Sequence, residues 1–108
     1  FSGKDSTKVD GPAAYICRHM AKSSVKSGLS KRALVQLPYA IGVAETYDAE
    51  CGKLTADDIT IFFKIEFDGR PGAIVKTLAL RVPKYHDTAA YCHCGLVPYT
   101  KDGMQFFE

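Results

Sequence analysis

The sequence predicts an α+β fold, a two-layer domain in which helices pack on one face of a small mixed sheet. Two segments, residues 12–27 and 55–69, carry apolar residues three or four positions apart, the spacing of an amphipathic helix. Residues 33–43 are instead rich in β-branched and aromatic side chains, which favour a strand. The 108 residues, 46% of them hydrophobic, are enough for one core, so we expect a single domain over residues 1–108.

The first predicted helix, residues 12–27, follows a polar loop over residues 1–9. Its apolar stripe consists of Ala13, Ile16, Cys17, Met20, Ala21 and Val25. Arg18 falls outside this stripe, so we expect it on the wetter side of the helix. Asp10 is the expected N-cap, because a short acceptor side chain pairs with unsatisfied N–H groups of the first turn. Gly28 is expected to close the helix.

The middle of the chain predicts a strand, a loop and a second helix. Pro38 lies within the strand of residues 33–43 and removes a ladder donor, so that strand is expected at a sheet edge or with a bulge. Residues 45–53 contain turn formers and are predicted to be a loop. Thr55, with Asp58 three residues later, marks the start of the second helix.

The C-terminal third has a weaker pattern. Residues 74–80 fit a short helix or a strand, and periodicity alone does not decide between them. Residues 85–95 end in a strand-like apolar run. Residues 97–108 are predicted to form a tail that is anchored by the aromatic side chains of Phe106 and Phe107.

The run Cys92-His93-Cys94 invites comparison with a metal site. On a strand, both cysteines would lie on one face and His93 on the other, and this spacing is not that of a zinc pair. We therefore expect no metal site within this chain alone. The four cysteines show no paired framework, so reduced thiols and a cytoplasmic location are expected.

The overall charge is nearly balanced. The 14 basic and 12 acidic residues give a formal net charge of +2, and the basic residues are scattered along the chain. This composition does not indicate a nucleic-acid partner. No apolar run approaches the length of a membrane span, so no membrane insertion is expected.

Three segments, in order along the chain, carry a family resemblance: Phe-Ser-Gly-Lys-Asp at 1–5 with Thr-Lys-Val-Asp at 7–10, Tyr-Ala-Ile-Gly-Val-Ala-Glu at 39–45, and Thr-Ala-Ala-Tyr at 88–91. Together they resemble the C-terminal domain of methionine adenosyltransferase, also called S-adenosylmethionine synthetase. The resemblance implies an ATP-binding transferase of one-carbon metabolism, in which the sulfur of methionine attacks the ribose C5′ of ATP and the triphosphate leaves. It also implies Mg²⁺ and K⁺ as cofactors, ATP and methionine as ligands, and an oligomer with its site between two subunits.

The resemblance also implies roles for individual residues. Lys4 and Lys8 would contact the phosphates of ATP and act in catalysis, since ammonium groups stabilise the charge of a leaving triphosphate. Ile41 and Gly42 would lie beside the nucleotide. Asp10 would face methionine or the metal. From the residues alone, the two lysines could equally be solvated loop side chains and Asp10 only a helix cap, because the loop lacks the P-loop pattern.

The chain also departs from the family pattern. Gly11-Pro12 stands where the family usually has Arg-Ser, which weakens phosphate neutralisation. Residues 45–52 are shorter than the family segment, which suggests that one sheet strand is missing, and Leu96 replaces an arginine.

The family's Gly-His-Pro-Asp-Lys motif and the strand before Phe1 do not occur in this sequence. We therefore expect the chain alone to be inactive, and a partner chain or the missing synthetase domains to cover an open sheet edge. Three hypotheses remain open: part of a composite synthetase site, a non-catalytic structural or interaction subunit, and a phosphate-binding domain without catalysis.

Overall fold

The computed structural model describes residues 4–37, 39, 48–51 and 56–107. In chain order the elements are α1 (Asp10–Lys26), β1 (Ala33–Gln36), β2 (Asp48–Cys51), α2 (Ala56–Glu66), α3 (Pro71–Thr77), α4 (Tyr85–Ala89), β3 (Tyr99–Lys101) and β4 (Met104–Phe106). Helices and short strands together confirm the predicted α+β class. Both strand pairs in this described part are antiparallel, where a mixed sheet was expected.

Helix α1 supplies the centre of the core. Its residues Tyr15, Ile16 and Met20 are each at most 5% exposed. The rest of the core cluster comes from the chain after α1: Phe63, Ile74, Leu78 and Leu80. Full burial of an aliphatic side chain of this size stabilises a fold by about 1.5–3 kcal/mol. The apolar stripe of α1 therefore fixes the position of this helix against β1 and α3.

The ends of α1 match the sequence prediction at one end only. Gly28 follows the helix with φ +79°, the left-handed conformation that glycine adopts without a steric penalty, and this confirms it as the terminator. The prediction of Asp10 as N-cap was wrong. Asp10 is the first helical residue, Val9 occupies the cap position, and no side chain caps the helix. The carboxylate of Asp10 instead pairs with Lys4.

Strand β2 shows that the predicted loop over residues 45–53 was wrong for Asp48–Cys51, and that this segment does contain a sheet strand. Residues 45–47, 52 and 53 lie outside the described residues. Strand β2 pairs with β1 in antiparallel register, with Ala33 opposite Cys51 and Gln36 opposite Asp48. Pairing with a neighbouring strand outweighs the weak strand propensity of Asp-Ala-Glu-Cys, since propensity in sheets depends on context. The predicted strand over residues 33–43 is confirmed for β1, while Pro38 and residues 40–43 lie outside the described residues.

The second half of the chain is mainly helical. Helix α2 confirms the predicted second helix. The sequence did not decide between a helix and a strand for residues 74–80. The structure shows that they begin within α3, which starts at Pro71. Proline suits this position because the first turn of a helix needs no N–H donor there. The strand-like reading of residues 85–95 was wrong, because the segment consists of α4 followed by a turn.

The predicted C-terminal tail is a hairpin. Strands β3 and β4 pair in antiparallel register, with Tyr99 opposite Phe106. Phe106 and Phe107 are 3% and 4% exposed, which confirms both as anchors. Asp87 in α4 accepts hydrogen bonds from the Tyr99 hydroxyl at 3.1 Å and the Lys101 ammonium at 3.2 Å. These bonds tie the hairpin to α4.

None of the helices in the described ranges has the length and apolar character needed to cross a bilayer.

Candidate functional site

A cavity of about 490 Å³ lies between the start of α1 and the segment from α4 to residue 93. Its lining comes from three places: the loop before α1, the first turns of α1, and α4 with the turn that follows. The lining residues are Lys4, Asp5, Ser6, Gly11, Pro12, Tyr15, Tyr85, Thr88, Ala89, Cys92 and His93. Segments more than 70 residues apart in sequence thus form a single concave surface, as expected for a ligand site.

Two of the residues singled out in the sequence meet at the edge of this cavity. The ammonium of Lys4 donates a hydrogen bond to the carboxylate of Asp10. This hydrogen bond and the positive charge of Lys4 lower the pKa of Asp10. The two side chains are 43% and 54% exposed, so water screens the pair and a competing ligand can replace either partner.

The loop between these residues is organised by Asp5. Its Oδ1 atom accepts hydrogen bonds from the backbone N–H of Thr7 at 2.9 Å and from the Thr7 hydroxyl at 2.5 Å. The side-chain bond from Thr7, followed by the backbone bond, lowers the pKa of Asp5, and the charge of Lys8 adds to this effect. Lys8 itself is exposed and does not line the cavity. The structure therefore places Lys4 at the cavity and Lys8 on the outside of the same turn.

The N-terminus of α1 offers few backbone donors to an anion. Pro12 has no N–H group, and the N–H groups of Gly11 and Ala13 donate to the carbonyls of Lys8 and Val9 at 3.2 and 2.9 Å. Anion binding at a helix N-terminus normally depends on such groups. Any anion recognition here must therefore rest mainly on lysine side chains.

A buried hydrogen bond forms the floor of the cavity. The hydroxyl groups of Tyr15 and Thr88 lie 2.9 Å apart, and both residues are 5% exposed. Thr88 donates to the carbonyl oxygen of Tyr85 at 3.2 Å. Because a threonine hydroxyl has one proton, Tyr15 is then the donor to Thr88. The bond joins the middle of α1 to α4.

Three residues further along α1, Arg18 contacts His93. Its Nη1 atom lies 3.2 Å from Nδ1 of His93 and 3.5 Å from the His93 carbonyl oxygen. The guanidinium also lies over the rings of Tyr15 and Phe107, at 5.1 and 5.9 Å from their centroids. Burial, and secondly the positive charge of Arg18, lower the pKa of His93. A guanidinium only donates, so Nδ1 accepts and the proton of the neutral imidazole is on Nε2.

The prediction that Arg18 lies on the wetter side of α1 was wrong. The side chain is buried, and within the described ranges its Nε atom is without a hydrogen-bond partner. Helical periodicity cannot reveal this burial, because the residues that cover Arg18 are His93 and Phe107, far along the chain. The sequence signals near this part of the site were the match of Thr-Ala-Ala-Tyr at 88–91 and the run Cys92-His93-Cys94, and neither indicated a buried arginine.

Two further expectations concern other residues. Ile41 and Gly42 lie outside the described residues. In the part of the chain that the structure describes, no three histidine, cysteine or acidic side chains come together as metal ligands.

The family model described as S-adenosylmethionine synthetase, C-terminal domain, matches residues 1–102 of the chain. The match includes α1, the cavity and its whole lining.

Proposed function

This chain belongs to the S-adenosylmethionine synthetase C-terminal domain family, and from this premise we propose that it supplies the phosphate-facing part of a composite methionine adenosyltransferase site. Lys4 and Lys8 would bind the phosphates of ATP and stabilise the leaving triphosphate. Asp10 would act on the methionine- or metal-facing side. Ile41 and Gly42 would lie beside the nucleotide.

The observation that carries this proposal is the position of Lys4. Its ammonium stands at the edge of a cavity of about 490 Å³, in the loop that leads into α1. A fixed cation at the mouth of a concave site favours a ligand with concentrated negative charge, and it does so most when that charge increases during the reaction. The cavity walls beside it include Pro12, Tyr15 and Ala89, which suit an uncharged part of the ligand.

Lys8 would extend this contact along the phosphate chain. It lies on the outer side of the turn that Asp5 and Thr7 organise, close enough to Asp5 to affect its pKa. A triphosphate that enters beside Lys4 and follows this turn would meet both lysines. The backbone at the start of α1 contributes little, because Pro12 and the bonded Gly11 leave few donors there.

Asp10 would change partners when the ligand binds. Its carboxylate is paired with Lys4, so a phosphate group must compete with it for the same ammonium. A carboxylate released in this way is a suitable ligand for Mg²⁺, which is often held by one or two carboxylates together with substrate phosphates. Asp10 would thus hold Mg²⁺, which neutralises phosphate charge when bound. The other ligands, and those of K⁺, would come from other parts of the assembly.

The reaction itself would need further groups. The described side chains supply one lysine, Lys4, and two carboxylates, those of Asp5 and Asp10, at the cavity edge. These are too few to orient ATP, methionine and metal for attack. We propose that other synthetase domains or a partner chain in an oligomer complete the site and cover an open sheet edge; within the described residues, β1 and β2 form a pair with no third strand. A cytoplasmic location stays a prediction from the cysteine content.

A non-catalytic interaction subunit is the second candidate. The observation in its favour is an apolar face on α2, where Ile61, Phe62 and Ile65 are 57%, 45% and 76% exposed. Side chains of this kind, exposed together on one helix, are typical of surfaces that bind other proteins. A subunit retained only for assembly would keep this face and would not need to bind phosphate.

The test is a calorimetric titration of the chain with magnesium tripolyphosphate. We expect binding by the parent chain, and its loss when Lys4→Ala and Lys8→Ala are combined. The double variant Lys26→Ala and Lys31→Ala removes two other exposed lysines with the same change in net charge, so it should retain binding. Absence of binding by the folded parent chain would instead support the interaction subunit.

A further inference from the structure

The turn that follows α4 has an unusual backbone. Tyr91 and Cys92 are consecutive residues with φ of +57° and +73°, and Gly95 also has a positive φ of +75°. Residues other than glycine seldom adopt the left-handed conformation, and two in succession occur only where the surroundings hold them. Such outliers are found most often at sites with a role. This turn also forms part of the cavity wall, through Cys92 and His93.

One residue separates the two cysteines of this turn. Cys92 and Cys94 are free thiols, and both are exposed. The backbone and then the side chain of Cys94 donate to Cys92 and lower its pKa. Partial desolvation, and next the interaction with Cys92, raise the pKa of Cys94. The pair thus consists of one thiol that ionises more easily and one neighbour that keeps its proton.

His93, the residue between the two cysteines, is held in place by Arg18. Arg18 contacts both the Nδ1 atom and the carbonyl oxygen of His93, at 3.2 and 3.5 Å. Since Arg18 is itself buried in α1, this contact holds the middle of the turn against the core. The cysteines on either side of His93 are both exposed.

We propose that Cys92 and Cys94 form a modification site, at which a peroxide converts the two thiols into a disulfide within the turn. The thiolate of Cys92 attacks one peroxide oxygen and the O–O bond breaks, giving a sulfenic acid on Cys92 and hydroxide, which takes up a proton to become water. The sulfur of Cys94 then attacks the sulfur of Cys92, the S–O bond breaks, and the hydroxyl leaves with the thiol proton of Cys94 as a second water. The two thiols lose two electrons, and the peroxide gains them.

The order of events follows from the two environments. The thiolate is the nucleophile, so the cysteine with stabilised negative charge reacts first, and Cys94 resolves it. Cys17 provides an internal comparison. It is half-buried in α1, and burial raises its pKa, so it should react slowly.

Tryptic mapping after treatment with hydrogen peroxide tests this site. Residues 85–101 form a single tryptic peptide that holds Cys92 and Cys94, while Cys17 and Cys51 fall in other peptides. We expect this peptide to become lighter by two hydrogen atoms, and thiol reduction to reverse the change. A mixed disulfide with Cys17 or Cys51 as the main product would overturn the proposal.

Two serine variants separate the roles of the cysteines. In Cys94→Ser, oxidation should stop at a sulfenic acid on Cys92 that dimedone captures. In Cys92→Ser, Cys94 should be alkylated by iodoacetamide at least about tenfold more slowly than Cys92 is in Cys94→Ser. Equal rates in the two variants, both shown to be folded by circular dichroism, would contradict the assignment. Cys17→Ser is the control and should form the disulfide at the parental rate.

Discussion

The contact between Arg18 and His93 makes the most detailed prediction about stability. Arg18→Met keeps the unbranched apolar stem of the side chain and removes the guanidinium, with its two ring contacts and its hydrogen bonds to His93. Each cation–π contact is worth about 0.5–2 kcal/mol, and a hydrogen bond from a charged donor about 1.5–3 kcal/mol. Release of the buried charge offsets part of this sum. We expect a net loss of about 2–4 kcal/mol in the free energy of unfolding.

The same contact predicts how stability depends on pH. The pKa of His93 in the folded chain lies below its ordinary value of 6.5, first because the ring is buried and secondly because Arg18 is close. Near this range the unfolded chain therefore binds more protons at this position than the folded chain. The contribution of His93 to the free energy of unfolding is then fully present above pH 6.5, and it is lost as the pH falls through the lower pKa of the folded chain. Removal of Arg18 should raise the pKa of His93 without restoring it fully, because burial remains.

Urea unfolding at several pH values measures both effects, and NMR titration gives the pKa of His93. The matched control is Lys26→Met, which removes an exposed cation from the same helix and should change stability by no more than about 0.5 kcal/mol. Equal stability of Arg18→Met and this control would show that the contacts of the guanidinium do not stabilise the fold. An unchanged loss of stability below pH 6.5 in His93→Gln would refute the pH dependence assigned to His93.

Four further substitutions test the cavity edge, the core, the glycine inside α1 and the glycine that follows it. Asp10→Asn should strengthen tripolyphosphate binding in the absence of Mg²⁺, because Lys4 loses its competing partner. The same change should weaken the part of the binding that depends on Mg²⁺. Calorimetry with and without the metal separates the two effects. Met20→Ala should destabilise the chain by about 2–5 kcal/mol in urea unfolding, since Met20 is 1% exposed. Gly28→Ala should destabilise the chain by about 1–2 kcal/mol, because a side chain is strained at a φ of +79°. A steric clash does not contribute, since no atom lies within 4 Å of an added Cβ. Gly11→Ala, in open space inside the helix, should stabilise the chain by about 0.5–1 kcal/mol in the same assay.

The helices could be predicted because their signals are local. The stripe through Ile16 and Met20 repeats with the helical period, and Gly28 has the chemistry of a helix terminator, so α1 follows from residues within one segment. Strand β2 could not be predicted in this way. Its four residues have little strand propensity, and its structure depends on pairing with β1 more than ten residues earlier.

The same difference between local and long-range signals applies to the candidate site. Lys4 and Asp10 were selected from a local segment, and the structure brings them together. The role of Asp10 as a cap was wrong because its carboxylate satisfies Lys4 instead of the helix. Arg18 and His93 meet across 75 positions, which no periodicity encodes. The resemblance at residues 88–91 pointed to this region without indicating the buried guanidinium.

Chemical-shift mapping by NMR tests the phosphate-binding claim most directly. Magnesium tripolyphosphate would be added to the isotopically labelled chain while the backbone amide signals are followed. We expect amide chemical-shift changes in the loop from Lys4 to Asp10 and around Tyr15 and Thr88, and none on the exposed face of α2. Shifts confined to α2, or no shifts in the cavity of a folded chain, would contradict this expectation.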